Sequence, residues 1–306
     1  MVKNLVIVDL GSNSTRMSIV KVDGCNFKEI KRVKKNTRIS EGMGKSKRLT
    51  QNAMQRTVAV LKDFKKLYKQ YPNIEVKAIT TAAVRQAKNQ KEFLSLVKKQ
   101  TGMKIEVLSG INEAYYDYLG VHDSVKLKNY LIVDIGGASC EIIQVANHKQ
   151  KELVSIPFGA VNLSERFKLN NKISAKNLFA SQIYVYKRLC NLPWLRRLNL
   201  LPIILLGGAN RALIKIHQNN QNNLQHKMQG YQLKPNDIFK IYQNLISIDN
   251  KQRSNIEGLE KERADIIIGG LLPLVEIIKM VNSKYVIFSE SGVREGIINE
   301  YLKNGR

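Results

Sequence analysis

The chain has 306 residues, which is enough for two domains of about 150 residues that each bury a core of their own. Its 50 Lys and Arg residues exceed its 25 Asp and Glu residues, so the formal net charge of +25 favours polyanionic partners. No stretch approaches the roughly 20 apolar residues of a membrane span, and no CxxC spacing joins the cysteines Cys25, Cys140 and Cys190. We therefore expect a globular cytoplasmic protein with no membrane partner, zinc site or disulfide framework.

The first predicted element is a β-hairpin in the segment LVIVDLGSNSTRMSIVKV, residues 5–22. An apolar run ends in Asp9, turns through small residues and resumes as a second apolar run. Such a turn suits a phosphate group, because glycine exposes backbone N–H groups and short polar side chains add donors. The candidate phosphate-binding residues are Gly11, Ser12, Asn13 and Ser14. A carboxylate would repel phosphate, so we interpret Asp9 as a holder of a divalent cation that the phosphate shares.

Helices and strands then alternate along the chain. After a basic segment and a loop, apolar spacing predicts an amphipathic helix that begins at Gln51. A strand is predicted at residues 74–79, followed by a helix that carries Arg85, with Thr80 and Thr81 as its capping residues. This alternation predicts an α/β lobe with a partly parallel sheet.

The next predicted helix carries a candidate catalytic base. A strand at residues 104–108 precedes Ser109, which is expected to cap the helix N-terminus, and Glu113 lies in the first turns of that helix. A glutamate at this position either complements the helix dipole or acts as a base, and the pattern alone leaves both interpretations open.

A second hairpin, LIVDIGGASCEIIQV at residues 131–145, repeats the shape of the first. Asp134 lies 125 residues after Asp9 in the matching position. The candidate phosphate-binding residues of this turn are Gly136, Gly137, Ala138 and Ser139. Two such hairpins indicate duplicated lobes that face one another across a phosphate. The alternative is a pair of ordinary hairpins with aspartate as a turn residue.

The rest of the chain continues the alternation of helices and strands. The predicted elements are a helix at residues 175–189, a strand at PIILLGG, a helix from Asn210, a polar surface loop at residues 218–232, an apolar helix at residues 264–281, a strand at residues 285–288 and a closing helix from Ser291. The segment GGANRAL resembles a third tight turn that leads into a helix N-terminus, which is a ready anion site. Its candidate ligands are Gly208, Asn210 and Arg211.

Basic residues cluster at several places, first at Lys31, Arg32, Lys34, Lys35 and Arg38. Any single cluster is most simply a solvated surface. No aromatic stripe interleaves the basic residues, as a platform for single-stranded nucleic acid requires. A specific nucleic-acid partner is therefore not expected.

Eight motifs, taken in order, resemble those of the exopolyphosphatase/guanosine pentaphosphate phosphohydrolase family, which belongs to the actin, Hsp70 and sugar kinase superfold. They are DLGSNS at Asp9, TRISEGM at Thr37, TTAAVRQAKN at Thr80, SGINEA at Ser109, VDIGGAS at Val133, GGANRAL at Gly207, ERADIIIGG at Glu262 and SGVREG at Ser291. The resemblance implies an α/β fold of two ribonuclease-H-like lobes, residues 1–123 and 124–306, with the active cleft between them. It also implies that the closing helix at residues 291–306 packs back on the first lobe. A homodimer is expected by family likeness alone.

The resemblance assigns roles to individual residues. Glu113 matches the family's general base for the attacking water, and Arg85 matches its conserved arginine. Asp9, Asp134 and Glu141 match the carboxylates of the two phosphate loops, and they would hold the metal directly or through water.

The chain departs from the family pattern at three positions. Ala138 and Cys140 stand where the second loop usually has a glycine and a threonine, and Asn112 stands where the residue before the base is often acidic. The methyl group of Ala138 would restrict phosphate approach if the φ angle of this residue were positive. None of the three changes removes the proposed base or the carboxylates that would hold the metal.

The expected function is Mg²⁺-dependent hydrolysis of inorganic polyphosphate, with K⁺ as a candidate activating ion and surface Lys and Arg residues holding the long chain. The nearest alternative is a guanosine pentaphosphate phosphohydrolase, which shares the cleft and the chemistry. Two further classes stay open: a small-molecule kinase of the same superfold, and a non-catalytic protein that binds polyphosphate or nucleic acid.

Overall fold

The structure is a computed structural model that describes residues 2–24, 26–221 and 227–304, so Cys25 lies outside the described part. The described residues contain two β-sheets. The first consists of β1 (Lys3–Leu10), β2 (Thr15–Asp23), β3 (Asn26–Lys35), β4 (Ile74–Thr80) and β5 (Ile105–Val107). The second consists of β6 (Tyr130–Ile135), β7 (Cys140–Ala146), β8 (Lys149–Ile156), β9 (Ile203–Leu206), β10 (Gln232–Leu233) and β11 (Val286–Phe288).

The two sheets share one strand pattern. The spatial orders are β3-β2-β1-β4-β5 and β10-β11-β9-β6-β7-β8. In each sheet three consecutive strands form an antiparallel meander, and the first strand of that meander pairs on its other side with a parallel strand, β4 or β9. This repeat confirms the predicted α/β fold with two duplicated lobes.

Helices cover both faces of each sheet, as expected where strands are apolar on both sides. They are α1 (Gln51–Tyr68), α2 (Ala82–Gln86), α3 (Gln90–Thr101), α4 (Gly110–His122), α5 (Ala160–Phe167), α6 (Ala175–Cys190), α7 (Pro193–Arg196), α8 (Gly208–Asn220), α9 (Pro235–Ser247), α10 (Asn250–Arg253), α11 (Ile267–Val281) and α12 (Val293–Asn304). In the first lobe, α1 and α3 form a core with one face of the sheet. In the second lobe, α5, α6, α8, α9 and α11 do the same.

Helix α4 lies between the two sheets. Its Tyr116 and Leu119 are buried in a cluster with residues of β1 and β2 from the first sheet. Its Ala114 and Val121 are buried in a cluster with residues of β6, β7 and β9 from the second sheet. The helix that carries Glu113 is therefore held by both lobes at once, and its position depends on both cores.

The last helix, α12, packs closely on α4. Its Ile297 and Ile298 join the cluster that α4 forms with the first sheet. A Cβ atom at Gly296 would collide with the backbone of Tyr116, and one at Gly120 would collide with the backbone of Gly292. Glycine at these two positions is therefore required for the close approach of α4 and the chain around α12.

Most predicted elements agree with the structure, including both hairpins, the helix from Gln51 and the Ser109 cap. The helix from Asn210 begins two residues earlier, at Gly208, and it extends through residues 218–220, which were predicted as loop. The apolar helix begins at Ile267 rather than at Ala264, and it contains Pro273.

The expected threonine caps are wrong in detail. Thr81 occupies the N-cap position of α2, but its side chain makes no capping hydrogen bond. The hydroxyl of Thr80 instead donates to the Leu10 carbonyl at 2.9 Å, which joins β4 to the end of β1. The strand β3 was also not predicted, because its basic residues are exposed along nearly its whole length and give no apolar alternation.

The chain passes from the first sheet to the second after α4, within residues 123–129. The predicted lobe boundary at residues 123 and 124 falls in this connection and stays a prediction. Among the helices of the described residues, none combines the length and the apolar content that crossing a bilayer requires.

Candidate active site

The two hairpin turns have the same backbone geometry and face one cleft. The Gly11 amide donates to the Ser14 carbonyl at 3.1 Å, and the Gly136 amide donates to the Ser139 carbonyl at 3.0 Å. Both turns line a cavity of about 390 Å³. Of the predicted site residues, the cavity lining includes Asp9, Gly11, Ser12, Asn13, Ser14, Glu113, Asp134, Gly136, Gly137, Ser139, Gly208 and Arg211.

Glu113 enters this cleft from the N-terminal turn of α4. The Ser109 hydroxyl accepts a hydrogen bond from the Asn112 amide at 3.0 Å, so the helix start is capped immediately before Glu113. Glu113 is 7% exposed as a residue, and its carboxylate accepts a hydrogen bond from Arg85 Nη1 at 2.8 Å. Burial raises the pKa of Glu113 to about 7, with Arg85 opposing the rise and the charges of Asp134 and Asp9 adding to it. A carboxylate with such a pKa is suited to proton transfer near neutral pH.

Arg85 also connects Glu113 to the second lobe. Its Nη1 donates to the Leu108 carbonyl at 2.9 Å, and its Nη2 donates to Ser155 Oγ on β8 at 3.4 Å. The Ser155 hydroxyl in turn donates to Glu141 Oε1 at 2.7 Å. Ser155 pairs with Glu141 in the β7–β8 register, which fixes both side chains on one face of the sheet.

Gly110 allows α4 to approach β8 at this point. A Cβ atom at position 110 would lie 2.5 Å from Ser155 Cβ and 2.7 Å from its Oγ. Any larger residue would therefore push the first turn of α4 away from β8. The glycine of the SGINEA motif accordingly has a packing role that brings Arg85, Glu113 and Ser155 together.

The buried residues Asp117 and Glu141 form a group of carboxylates with the half-buried Asp134. Ligand oxygens of Asp117, Asp134 and Glu141 all lie within 4.8 Å of one another. A set of carboxylate oxygens is the donor type that hard cations such as Mg²⁺ prefer. Asp134 Oδ1 and both Asp117 oxygens are buried without a hydrogen-bond partner in the described part of the chain, so the group offers free ligand atoms. The residues present therefore fit a divalent cation.

The predicted metal residues are thus brought together in part. Asp134 and Glu141 belong to this group, whereas Asp9 lines the cleft and is not a member of the group. Burial raises the pKa of Asp134 to about 6, against the effect of Arg16, and it also raises the pKa of Asp9. Burial together with the charges of Glu113 and Asp134 raises the pKa of Glu141 well above its usual range. These raised pKa values are expected where several carboxylates lie close together in a buried site.

The third turn also reaches the cleft. Gly207 has a φ angle of +92°, and a Cβ atom there would lie 2.5 Å from Asp134 Oδ1, so glycine lets the start of α8 pass beside Asp134. Gly208 and Arg211 line the cleft, but Asn210 is fully buried and its amide group donates to the Leu206 carbonyl. The structure therefore does not bring the Asn210 side chain to the predicted anion site.

Two departures from the expected motifs have structural explanations. The φ angle of Ala138 is not positive, so the methyl group introduces no backbone strain, and its carbonyl accepts a hydrogen bond from Gln86 at 3.1 Å. Cys140 lies in the apolar core of the second lobe, away from the cleft lining, and burial raises the pKa of its thiol well above the usual range. Neither residue obstructs the turn.

Basic side chains surround the cleft on both lobes. They form a rim that consists of Arg16, Arg32, Lys34, Arg211, Lys215, Arg263 and Arg294. Several are partly neutralised, since Lys34 and Arg263 both contact Glu260 at 2.9 Å and Arg211 contacts Glu290 at 2.7 Å. Arg16 is exposed and makes no ion pair with any described residue. The mouth of the cleft is therefore suited to a polyanion.

Sequence reasoning did not find Asp117 or Ser155. Asp117 follows Glu113 by four residues, so helical spacing was a signal that the two side chains share a face. Ser155 gave no such signal, because its contact with Glu141 depends on the register of β7 and β8. The rim is likewise assembled from segments that are far apart in the chain.

Known proteins resemble this chain in sequence and in fold. The sequence model of the Ppx/GppA phosphatase family matches residues 5–305, which is nearly the whole chain. The chain belongs to the Ppx/GppA phosphatase family. A bifunctional 3-dehydroquinate synthase/phosphatase of Fusobacterium nucleatum is 30% identical over 97% of this chain and 46% of its own length. A guanosine-5'-triphosphate,3'-diphosphate pyrophosphatase of Vibrio cholerae is 29% identical over 98% of this chain and 59% of its own length.

The Ppx/GppA chain thus spans about half the length of these curated relatives. Solved structures match it from end to end. The Aquifex aeolicus member of the Ppx/GppA family has a TM-score of 0.81 and 28% identity, with all of both chains covered. An exopolyphosphatase from Cytophaga hutchinsonii has a TM-score of 0.90 at 21% identity, covering 99% of this chain and 98% of its own, which establishes similarity of fold.

Proposed function

We propose that this protein hydrolyses the terminal phosphoanhydride of inorganic polyphosphate and releases phosphate. The proposal depends mainly on the position of the Glu113 carboxylate. It is buried in a cleft between the two candidate phosphate-binding turns and is paired with Arg85 at 2.8 Å. Water attack on a phosphoanhydride needs a positioned base and neutralisation of charge on the transferred group. The cleft offers both.

In the proposed reaction, Glu113 orients a water molecule and accepts its proton as the water oxygen bonds to the terminal phosphorus. The bond between that phosphorus and the bridging oxygen breaks, and the shortened chain leaves with its electron pair. A positioned base of this kind contributes about 10²–10⁴-fold in rate. Backbone N–H groups of the turns at Gly11 and Gly136 would bind the terminal phosphoryl oxygens, as in other anion-binding turns.

A divalent cation is part of the proposal. Asp134 and Glu141, with Asp9 from the first turn, would hold Mg²⁺, which when bound would offset the negative charge of the phosphate oxygens. Asp9 and Asp134 enter from opposite hairpins, so both lobes would contribute to one site. K⁺ is proposed as a further activating ion on family likeness alone, as are a homodimer and a cytoplasmic location.

The basic rim supports polyphosphate as the substrate. A chain that extends beyond the cleft would meet cationic side chains such as Arg16 and Lys215 and would release bound counterions from the polyanion. The second candidate is guanosine pentaphosphate, which the name of the Vibrio cholerae relative favours. Hydrolysis of that substrate would use the same base and cation, but it would also require a binding site for the guanine base.

The test is phosphate release by the purified protein with Mg²⁺. Long polyphosphate, a short polyphosphate of a few residues and guanosine pentaphosphate are compared side by side at equal phosphate-end concentration. The fastest turnover is expected with long polyphosphate. Faster turnover of guanosine pentaphosphate would favour the second candidate. Phosphoryl transfer to an added acceptor without release of free phosphate would identify a kinase. Absence of reaction with all three substrates would favour a non-catalytic binding protein.

A further inference from the structure

Asp117 is a buried acid without a described role. It lies on α4 one helical turn after Glu113, and its side chain is fully buried. Among the described residues no donor meets hydrogen-bond geometry at either carboxylate oxygen, although the backbone amide of Val293 lies near enough to lower the pKa of Asp117. Burying a carboxylate without a partner costs several kcal/mol, so its presence calls for a compensating charge or a bound proton.

The surroundings of Asp117 make this cost larger. Burial raises the pKa of Asp117 well above its usual range, and the neighbouring acids Asp134, Glu141 and Glu113 add to this rise. Asp117 makes no ion pair with any residue of the described ranges. Arg85, which belongs to the same network, is already shared between Glu113 and Ser155. Among the described residues, no cation therefore pairs with Asp117.

We propose that Asp117 is a ligand of a divalent cation, Mg²⁺ or Mn²⁺, which it binds together with Asp134 and Glu141. Oxygens of the three carboxylates lie within 4.8 Å of one another, so the three residues could hold one cation between them. Asp134 lines the open cleft, which gives the ion a path from solvent. The inference rests on the proposed function for its expectation of a cation, but the binding can be measured without any substrate.

The position of Asp117 on α4 gives this ligand a structural consequence. Glu113 and Asp117 are four residues apart on one helix, so the base and a cation ligand move as one rigid unit. Asp134 and Glu141 come from β6 and β7 of the second lobe. A cation bound by Asp117, Asp134 and Glu141 would therefore hold α4 against the second lobe. It would also fix the position of Glu113 relative to the phosphate-binding turn of that lobe.

The direct test is calorimetric titration of Mn²⁺ into the full-length protein after its metals have been removed with a chelator. The parent is expected to bind one tight equivalent, and Asp117→Asn is expected to weaken this binding by at least about tenfold. Asp123→Asn is the matched control, since Asp123 is an exposed acid at the end of the same helix. It is expected to leave the affinity unchanged. Parent-like affinity in Asp117→Asn would overturn the proposal, and so would absence of Mn²⁺ binding by the parent.

A stability measurement separates a ligand from a merely structural residue. Saturating Mg²⁺ should raise the melting temperature of the parent, because a ligand that binds only the folded state stabilises it. In Asp117→Asn this gain should shrink, while the melting temperature without metal should stay equal or rise, because a repulsive charge is removed. A lower melting temperature without metal and an unchanged gain would contradict the proposal. Mn²⁺ binding without phosphate release would preserve this inference and refute the proposed hydrolase.

Discussion

Arg85 Nη1 lies 2.8 Å from Glu113 Oε2, so the acid that the cleft buries keeps one cationic partner. Burial raises the pKa of Glu113, and the positive charge of Arg85 limits this rise. Glu113 therefore ionises near pH 7. This relationship underlies the first two predictions.

Glu113→Gln should lower turnover by at least about 100-fold with substrate binding largely kept, because the amide has the shape of the acid but cannot accept the proton of water. The measurement is the steady-state rate of phosphate release, with polyphosphate affinity determined separately by direct binding. Glu106→Gln is the control, since Glu106 is an exposed glutamate on β5. Full activity in Glu113→Gln would remove Glu113 from the mechanism.

The pH dependence of kcat/KM should have an acid limb governed by Glu113, with activity rising as the carboxylate loses its proton around pH 7. Arg85→Gln removes the positive charge that favours the ionised form, so the limb should move to higher pH. Arg48→Gln, at an exposed arginine paired with Glu92, should leave the limb where it is. An unshifted limb in Arg85→Gln would mean that Arg85 does not control the ionisation of the base.

Gly110→Ala should destabilise the protein by about 1–3 kcal/mol, because the new methyl group would lie 2.5 Å from Ser155 Cβ. Helix propensity alone predicts the opposite sign, since alanine is the better helix former. The measurement is denaturant unfolding of the variant and of the double variant with Ser155→Gly. The second change makes room for the methyl group, so the double variant should recover much of the loss. Additive losses would contradict the close contact of α4 with β8.

Lys215→Ala should reduce the salt dependence of long-polyphosphate binding, because Lys215 belongs to the rim of the cleft. The slope of log affinity against log salt should become shallower by about 1 for each lost phosphate contact. Lys66→Ala, at an exposed lysine of α1 outside the cleft lining, should leave the slope unchanged. Equal slopes for the two variants would argue against a polyphosphate track along the rim.

The sequence predicted those parts of the fold whose signals are local. Both hairpins follow from an apolar run, an acid and a small-residue turn, and the Ser109 cap follows from its position before a helix. The strand β3 escaped prediction because its apolar residues Phe27, Ile30 and Val33 recur every three residues, so no alternation marks it. Pro273 lies within α11, where tertiary burial outweighs the local penalty that proline imposes on a helix.

The candidate site was predictable only where one segment carries the whole signal. The turn residues Gly11 and Gly136 were recognised because each motif is contiguous. Asn210 belonged to such a motif, but its amide bonds to the backbone of Leu206 inside the core, and a linear pattern does not reveal which way a side chain points. Ser155 reaches Glu141 through strand register, and Asp117 reaches it through the docking of α4 on the second sheet. These contacts arise from tertiary packing.

The backbone crosses between the lobes twice, within residues 123–129 and again within residues 289–292. The two crossings lie near one another, since Gly292 packs against Gly120 at the end of α4. We expect these two adjacent crossings to act as a hinge between the lobes. A phosphate bound by both turns would hold the two lobes together, so release of the product should require the lobes to separate at this hinge.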